Sequence, residues 1–572
     1  MNRFAPIAVL LLAAPPVLAG PRDELLRVAP ADAALVVVVQ NAREHAKALA
    51  GSPFVEALPQ TAVGKKLLQM VDFQQVRDVT SALLPALGTT PQALLDGVLG
   101  DAVAFAYSPA PAGKPQDERA VILIRPGKPD ALAKIVERIN ELQTQSGELK
   151  AVARREHAGA EYFERQKPEG GAPEFYCFRN GVFAFSSNEA DVKDVLDRDR
   201  SAPKDAPPAL VVRLRKLGVA DALAVVLVNP RPLDAEVKAK IAAAKPEEHR
   251  LYARFGQLWD ALEFAAVSLS VGSDAELALS LRFHPDKVPA DVKTWFVGPR
   301  EPIAAAQLIP DNALAGFAGH AKASELLDLA ASLAPEPAGK PGVKEWVAKT
   351  LGVVVVPQKL SLVLDSLGPN WAAWVVPPEK DGFLPVVVGA VEVSGEGEKR
   401  ATAEKTLLQT VEFGFQMARV AYNTRHADQI DLEETRDAAT GVVVKSLVND
   451  KGFPPGFRPS FAMVKGYLVV ATSPDAIKAF QGPPAATAAE KGTALLARFS
   501  GTHTRAYLAA HGHSLARFLA ELGAGDEATL RAYASAAGEV LELIDTVDLT
   551  RRDLENGLKL SLRVKPTKPL KK

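Results

Sequence analysis

The chain has 572 residues, 48% of them hydrophobic, with 67 lysines and arginines against 68 aspartates and glutamates for a net charge of −1. Both signs are interspersed, so no basic stripe argues for nucleic acid, and the apolar content is ample for a buried core. A single cysteine, Cys177, rules out an intramolecular disulfide.

The first element lies outside any fold. Met1-Asn-Arg3 is a short positive segment, Phe4 to Ala14 is apolar, and Val17-Leu-Ala19 is a small-residue cleavage site. This reads as a secretory signal peptide, residues 1–19, cut after Ala19. Pro15-Pro16 interrupts the apolar run, which falls short of the ~20 residues that span a membrane. No cysteine follows the cut to carry a lipid, and no later stretch has the length of a membrane span. The expected location is the periplasm or the exterior, with no transmembrane segment in the mature chain.

Beyond residue 19 the sequence repeats. Val28-Ala-Pro-Ala-Asp-Ala-Ala-Leu-Val-Val-Val-Val39 returns as Leu308-Ile-Pro-Asp-Asn-Ala-Leu-Ala-Gly-Phe317, and Leu279-Ser-Leu-Arg282 returns as Leu560-Ser-Leu-Arg563. The two halves are placed at 20–299 and 300–572. Each opens with a turn, a short strand (Ala34 to Val39; Ala313 to Phe317) and an amphipathic helix. The helices span Asn41 to Leu58, broken near Gly51-Ser-Pro53, and Lys322 to Leu333, with Asn41 and Ser324 read as caps. Two strands follow in each half, Gly100 to Tyr107 with Arg119 to Ile124, and Asn370 to Val376 with Leu384 to Val391. Helices are expected over Pro129–Leu142 and Lys399–Val420.

Next come hairpins turning at Asn180-Gly181 and Lys465-Gly466, where glycine suits a positive φ. Short helices capped around Ser187 and Ser473 follow, then linkers at Ser201 to Pro208 and Gly482 to Gly492. Each half ends in a hairpin, turning at Gly272-Ser-Asp274 and at Glu555-Asn-Gly557. Leu277, Leu279, Leu281 and Phe283 alternate onto one strand face, as do Leu558, Leu560, Leu562 and Val564. Strands and helices mix without a strict βαβ rhythm. The fold class is therefore α+β: two tandem repeats of mostly antiparallel sheet, helices covering one face, related by a pseudo-twofold. The basic tail Lys565 to Lys572 reads as a solvated terminus.

The opening Pro30-Ala-Asp-Ala-Ala-Leu-Val-Val-Val-Val39 after a signal peptide, the helix ending near Ser52-Pro-Phe54, and Phe178-Arg-Asn-Gly-Val-Phe-Ala-Phe-Ser-Ser187 resemble a group of secreted bacterial proteins carrying a tandem domain of unknown function. The resemblance implies an envelope or secreted location and brings no catalytic residues.

Candidate chemistry concentrates in residues 502–516. Gly512-His-Ser-Leu-Ala516 resembles a Gly-x-Ser-x-Gly nucleophile elbow, with Arg505 to Ala510 as a strand and Leu515 to Leu522 as a helix. No histidine follows His513 to complete the hydrolase order, and Ser514 reads better as a helix N-cap. His503, His511 and His513 share the segment, and His-x-His on a strand would place two imidazoles on one face, with Glu521 and Asp526 the nearest acids. Cys177 in Glu174-Phe-Tyr-Cys-Phe-Arg179 reads as a small buried hydrophobe, with a free thiol or an intermolecular bridge as the alternative. Gly339-Lys-Pro-Gly342 and Ser394-Gly-Glu-Gly-Glu398 lack phosphate-loop spacing. Asp431, Glu433, Glu434, Asp191 and Asp194 read as solvated faces. Trp371 and Trp374 fall on opposite faces of a strand, one of them in the core.

No catalytic, cofactor or metal residue is assigned. The expectation is a secreted, non-enzymatic protein that binds a protein or envelope component through its duplicated scaffold, in the groove between repeats. The rivals are an extracytoplasmic hydrolase or metalloenzyme centred on 502–516 and a lipid or small-molecule carrier.

Overall fold

The computed structural model describes residues 20–567 except 51–52, 62–63, 67–68, 71–79, 112–113, 115–116, 202–205, 298–302, 335–341, 352–359, 379–381 and 484–492. Residues 1–19, the break expected at Gly51-Ser52, residues 339–341, parts of both expected linkers and the last five residues therefore lie outside the description. Two compact units are present: residues up to Arg43 with Leu84–Ser108 and Gln116–Val212, and Glu44–Leu83 with Pro109–Pro115 and Arg213–Lys572. The boundary at 299/300 read from the repeat falls inside the second unit.

In the first unit the strands are β1 (Leu35–Gln40), β2 (Ala102–Ser108), β3 (Arg119–Arg125), β4 (Ala151–His157), β5 (Ala160–Gln166), β6 (Glu174–Arg179) and β7 (Val182–Ser186). They pair antiparallel in the order β1-β2-β3-β7-β6-β5-β4. Val36, Ala106 and Val121 form one cross-strand row and Val38, Ala104 and Leu123 the next, all buried. Against these strands packs the Pro21–Val28 helix, whose Leu25 is fully buried. On the opposite face Val98, Leu132, Tyr176 and Phe183 form a second core under the Pro129–Ser146 helix.

The second unit holds β8 (Ala224–Val228), β9 (Leu262–Val271), β10 (Ala275–Phe283), β11 (Ala315–His320), β12 (Leu367–Val376), β13 (Val386–Val393), β14 (Asp431–Arg436), β15 (Val443–Val448), β16 (Ser460–Val464), β17 (Tyr467–Ala471), β18 (Thr493–Ser500), β19 (Ile544–Leu554) and β20 (Gly557–Pro566). They pair antiparallel in the order β8-β9-β10-β20-β19-β18-β11-β12-β13-β17-β16-β15-β14. One face of β11–β13 and β15–β17 packs a core around Trp374, Val388, Val469 and Ile477. The other face packs Val393 and Leu468 beneath the Gly397–Asn423 helix. Helices thus cover both faces in places, where one covered face was expected. The strands ending each unit, β4 and β14, are exposed and charged, with Arg154, Arg155 and Glu156 on one and Asp431, Glu433, Glu434 and Arg436 on the other.

Local signals behave unevenly. Asn180-Gly181 (φ 47° and 76°) and Lys465-Gly466 (49° and 77°) take the paired left-handed conformations of a type I′ turn. Ala158-Gly159 (51° and 77°), joining β4 to β5, does so as well. Ser473 caps its helix by accepting from the Asp475 N–H. Ser187 does not cap; Asn188 Oδ1 instead accepts from the Ala190 N–H at 3.0 Å, because its amide carbonyl reaches two residues on in an Asx turn. Ser324 is the second residue of the Ala323–Leu333 helix, past the cap position, which Lys322 holds without a side-chain bond.

A close approach between strands of the second unit is at Gly557. A Cβ there would lie 2.0 Å from the Leu281 carbonyl oxygen across the β10–β20 pair. Gly557→Ala should therefore force the two strands apart and cost roughly 1–3 kcal/mol. Gly272→Ala, where a Cβ meets nothing within 4 Å, should be near neutral. All five tryptophans (259, 295, 346, 371 and 374) belong to this unit, so urea unfolding followed by tryptophan fluorescence checks both.

Candidate functional site

The 502–516 segment does not form the strand and elbow expected of it. Residues Gly501–Glu521 form one helix, which overturns the strand expected over Arg505 to Ala510 and with it the nucleophile elbow. Ser514 sits two-thirds of the way along that helix and cannot cap it. The cap is Ser500, whose Oγ accepts from the His503 N–H at 3.2 Å. His511 and His513, two residues apart on a helix, point to nearly opposite sides. His511 packs beside Tyr507, His513 approaches Arg531 at 3.3 Å, and His503 Nδ1 lies 3.0 Å from Ser500 Oγ. Among the described residues no group of three or more His, Cys, Asp or Glu could hold a metal ion. The cause is composition: a run rich in alanine and leucine continues as helix through Gly512.

The remaining candidates resolve one by one. Cys177 is buried on β6 opposite Ala184, and burial pushes its thiol up to about 12. Asp191, expected on a solvated face, is instead buried: it accepts from Arg119 Nε at 2.5 Å, from Ser186 Oγ at 2.9 Å and from the Ala120 N–H at 3.2 Å. Those three donors replace water around the carboxylate. Asp431, Glu433 and Glu434 are exposed on β14 as expected. Trp374 is buried in the core and Trp371 lies on the opposite strand face, where its ring covers Gly319: a Cβ at Gly319 would fall 2.1 Å from it. Ser394 to Glu398 is a turn leading into the Gly397–Asn423 helix.

The feature that remains is a sheet face. The alternation in the terminal hairpins is present, but its apolar side is the bare one. Val267 is 44% exposed, Leu269 39%, Leu277 51%, Leu279 39% and Leu562 41%. The residues between them are the buried ones: Ala266, Ser268, Ala278 and Ser280. The side with little solvent thus carries small side chains, and the large aliphatic ones stand in water. Leaving such side chains half exposed forgoes about 1 kcal/mol each.

The bare face is continuous by register. Leu269 pairs with Leu277, Leu277 with Leu562, Leu562 with Leu549, and Leu549 with Ala497. Ala497 pairs with Phe317, Phe317 with Ala373, Ala373 with Gly389, and Gly389 with Val470. This cross-strand row is wholly apolar over nine strands, about 38 Å at the usual strand spacing. Phe317, Val387 and Val470 are exposed along with the five aliphatics. The ends of the face are covered, one by Leu258, Trp259 and Phe296, the other by Leu407 of the Gly397–Asn423 helix. Patches of this extent on a soluble chain mark binding surfaces.

On the reverse side Glu276 joins β10 to β20. It accepts from Ser561 Oγ at 3.0 Å and Arg563 at 3.0 Å, and pairs with Lys559 at 2.8 Å. Burial works to raise its pKa, but the bonds from Lys559 and Arg563 outweigh burial and hold it below the usual carboxylate value.

Two predictions follow from these geometries. Native protein should resist thiol alkylation at pH 8 and react once unfolded in urea, as read by mass spectrometry, because the Cys177 thiolate is nearly absent at that pH. The stability given by Glu276 is complete above its unfolded pKa, about 4.3, and is lost as pH falls through the lower folded value. Acid titration of the unfolding midpoint should therefore be steeper in the parent than in Glu276→Gln over that span.

Comparison with protein-family models, with curated proteins and with solved structures finds no match to this chain.

Proposed function

We propose that this chain is a non-enzymatic protein of the bacterial envelope, exported on a signal peptide cut after Ala19, that holds the acyl chain of a lipid on the bare face of β9-β10-β20 and its neighbours. The observation that carries the reading is the cross-strand apolar row over nine strands, with Leu and Val outward against Ala and Ser inward on β9 and β10. The occupant is taken to be hydrocarbon because the exposed residues are aliphatic, with Phe317 the one exposed ring, and offer no hydrogen-bonding group. Protein-binding hot spots are built from Tyr, Trp and Arg. Arg551 lies in the same row as Leu560 but is buried, with its Nε on Asp553 and its Nη1 on the Trp295 carbonyl. Among the described residues no helix is long and apolar enough to cross a membrane, which suits a carrier reaching lipid from the aqueous side.

The face crosses a junction that supports duplication. Strands β1 to β7 and β11 to β17 follow the same neighbour order, and both sets turn in type I′ geometry at Asn180-Gly181 and Lys465-Gly466. Leu279 pairs with its repeat counterpart Leu560, while Leu277 pairs with Leu562 and Leu281 with Leu558. Such a register is self-complementary, as across a twofold axis. The proposal is that two tandem repeats meet there about a pseudo-twofold, and that the apolar site straddles their seam.

The test is titration of the purified protein with pyrene-labelled palmitate, competed by unlabelled palmitate, in the parent and in Leu277→Asp/Leu562→Asp. Both positions are exposed but face each other across β10 and β20, so the paired carboxylates should lower the circular dichroism melt by only a few degrees and leave the protein folded at the titration temperature. The expected result is saturable uptake weakened at least about tenfold in the variant, as befits charge placed against hydrocarbon. Equal uptake in both proteins, or none in either, overturns the reading. Loss of a cross-linked envelope protein in the variant, without palmitate uptake by the parent, assigns the face to a protein partner instead.

A further inference from the structure

The first unit contains a cleft of a different chemistry. It measures about 720 Å³ and lies between the Pro129–Ser146 helix and strands β4 to β6. Its floor is aromatic: Phe163 stacks on Tyr176 with centroids 4.9 Å apart, and Phe178 meets Tyr176 edge-on at 6.1 Å. Its rim is acidic, with Glu137 and Glu141 one helical turn apart, and no Lys, Arg or His lines it.

A buried cation beside the cleft is already committed. Arg165 is buried and donates Nε to Asn140 Oδ1 at 2.9 Å, with its other nitrogens on Glu174 and Gln143. Those bonds hold Asn140 so that its amide donates to the Tyr176 hydroxyl at 3.4 Å. Glu141 pairs with exposed Arg138 at 2.9 Å, whereas Glu137 has no ion-pair partner among the described residues. Rings supply a negative quadrupole face and the carboxylate supplies charge, so both favour a cation that is itself coated in carbon.

We propose that this cleft binds an organic monocation of the alkylammonium class, its methyl or methylene groups on Phe163 and Phe178 and its charge beside Glu137. A hydrated metal ion would find no oxygen cage there, and an anion would meet the two carboxylates. The site rests on observations separate from the apolar sheet face of the second unit. The group could belong to a lipid headgroup or to a free solute.

The experiment uses choline chloride as the probe and saturation-transfer NMR of its methyl signal on the whole protein. Its neutral carbon isostere, dimethylbutanol, is the control for shape alone. Choline should bind about fivefold or more tightly than the isostere, and Glu137→Gln should remove about that factor. Phe163→Leu should weaken choline binding while the Leu277→Asp/Leu562→Asp variant leaves it unchanged. Sedimentation with phosphatidylcholine vesicles then separates the sources: binding to vesicles and choline points to a headgroup, and binding to choline alone to a solute. Equal affinity for choline and isostere, or an unaltered Glu137→Gln, overturns the proposal.

Discussion

The second unit depends on one antiparallel pair, β10 with β20. Nothing else among the described pairings joins the β8-β9-β10 strands to the run from β20 to β14. The pair is held from both sides. Backbone ladders run from Ala275 to Arg282, Glu276 collects Lys559, Ser561 and Arg563 on one face, and Gly557 lets the strands close over the Leu281 carbonyl. A side chain at Gly557 would break a contact between residues more than 270 positions apart in sequence. Such non-local pairing is slow to find, so the short loops on either hairpin matter: each delivers two strands at once.

The price of a bare apolar face is met by the opposite side and by the ends. Buried positions of β9 and β10 hold Ala266, Ser268, Ala278 and Ser280, which permit close packing without adding much hydrophobic stabilisation. Larger apolar groups gather at the ends of the same face, around Phe283 and Phe296 and around Val393 and Leu407. Stability and exposure are thereby separated along the strands rather than across the sheet. A strand that buried Leu277 and Leu279 would be more stable and would have nothing to offer a ligand.

Much of the fold was legible in the sequence because turns and alternation are local. Asn180-Gly181 and Lys465-Gly466 announce their hairpins, and the strands around 34–39, 100–107 and 119–124 lie within two residues of their expected places. The Gly501–Glu521 helix is less legible because Gly512-His-Ser-Leu-Ala516 resembles an elbow between a strand and a helix, while the alanines and leucines on both sides of it continue one helix. The bare face was illegible for a different reason. Alternation states which residues share a side, not which side meets solvent, and Glu276, Arg282, Lys559 and Arg563 on the reverse read naturally as the wet side. The ion pairs that cover Glu276 and Lys559 across β10 and β20, and Arg282 against Glu263 of β9, show otherwise. The aromatic cleft of the first unit was hidden similarly, since Phe163, Tyr176 and Glu137 come from three separate elements.

The terminal strands β4 and β14 leave half a ladder of N–H and C=O groups without a further strand, and both carry exposed charge at Arg154, Arg155, Glu156, Glu433, Glu434 and Arg436. An incoming strand would have to set its own side chains beside that charge. Filament growth by strand addition is thereby discouraged at these two margins. The open backbone hydrogen bonds of these two strands and the apolar face of β9-β10-β20 are thereby kept in different places.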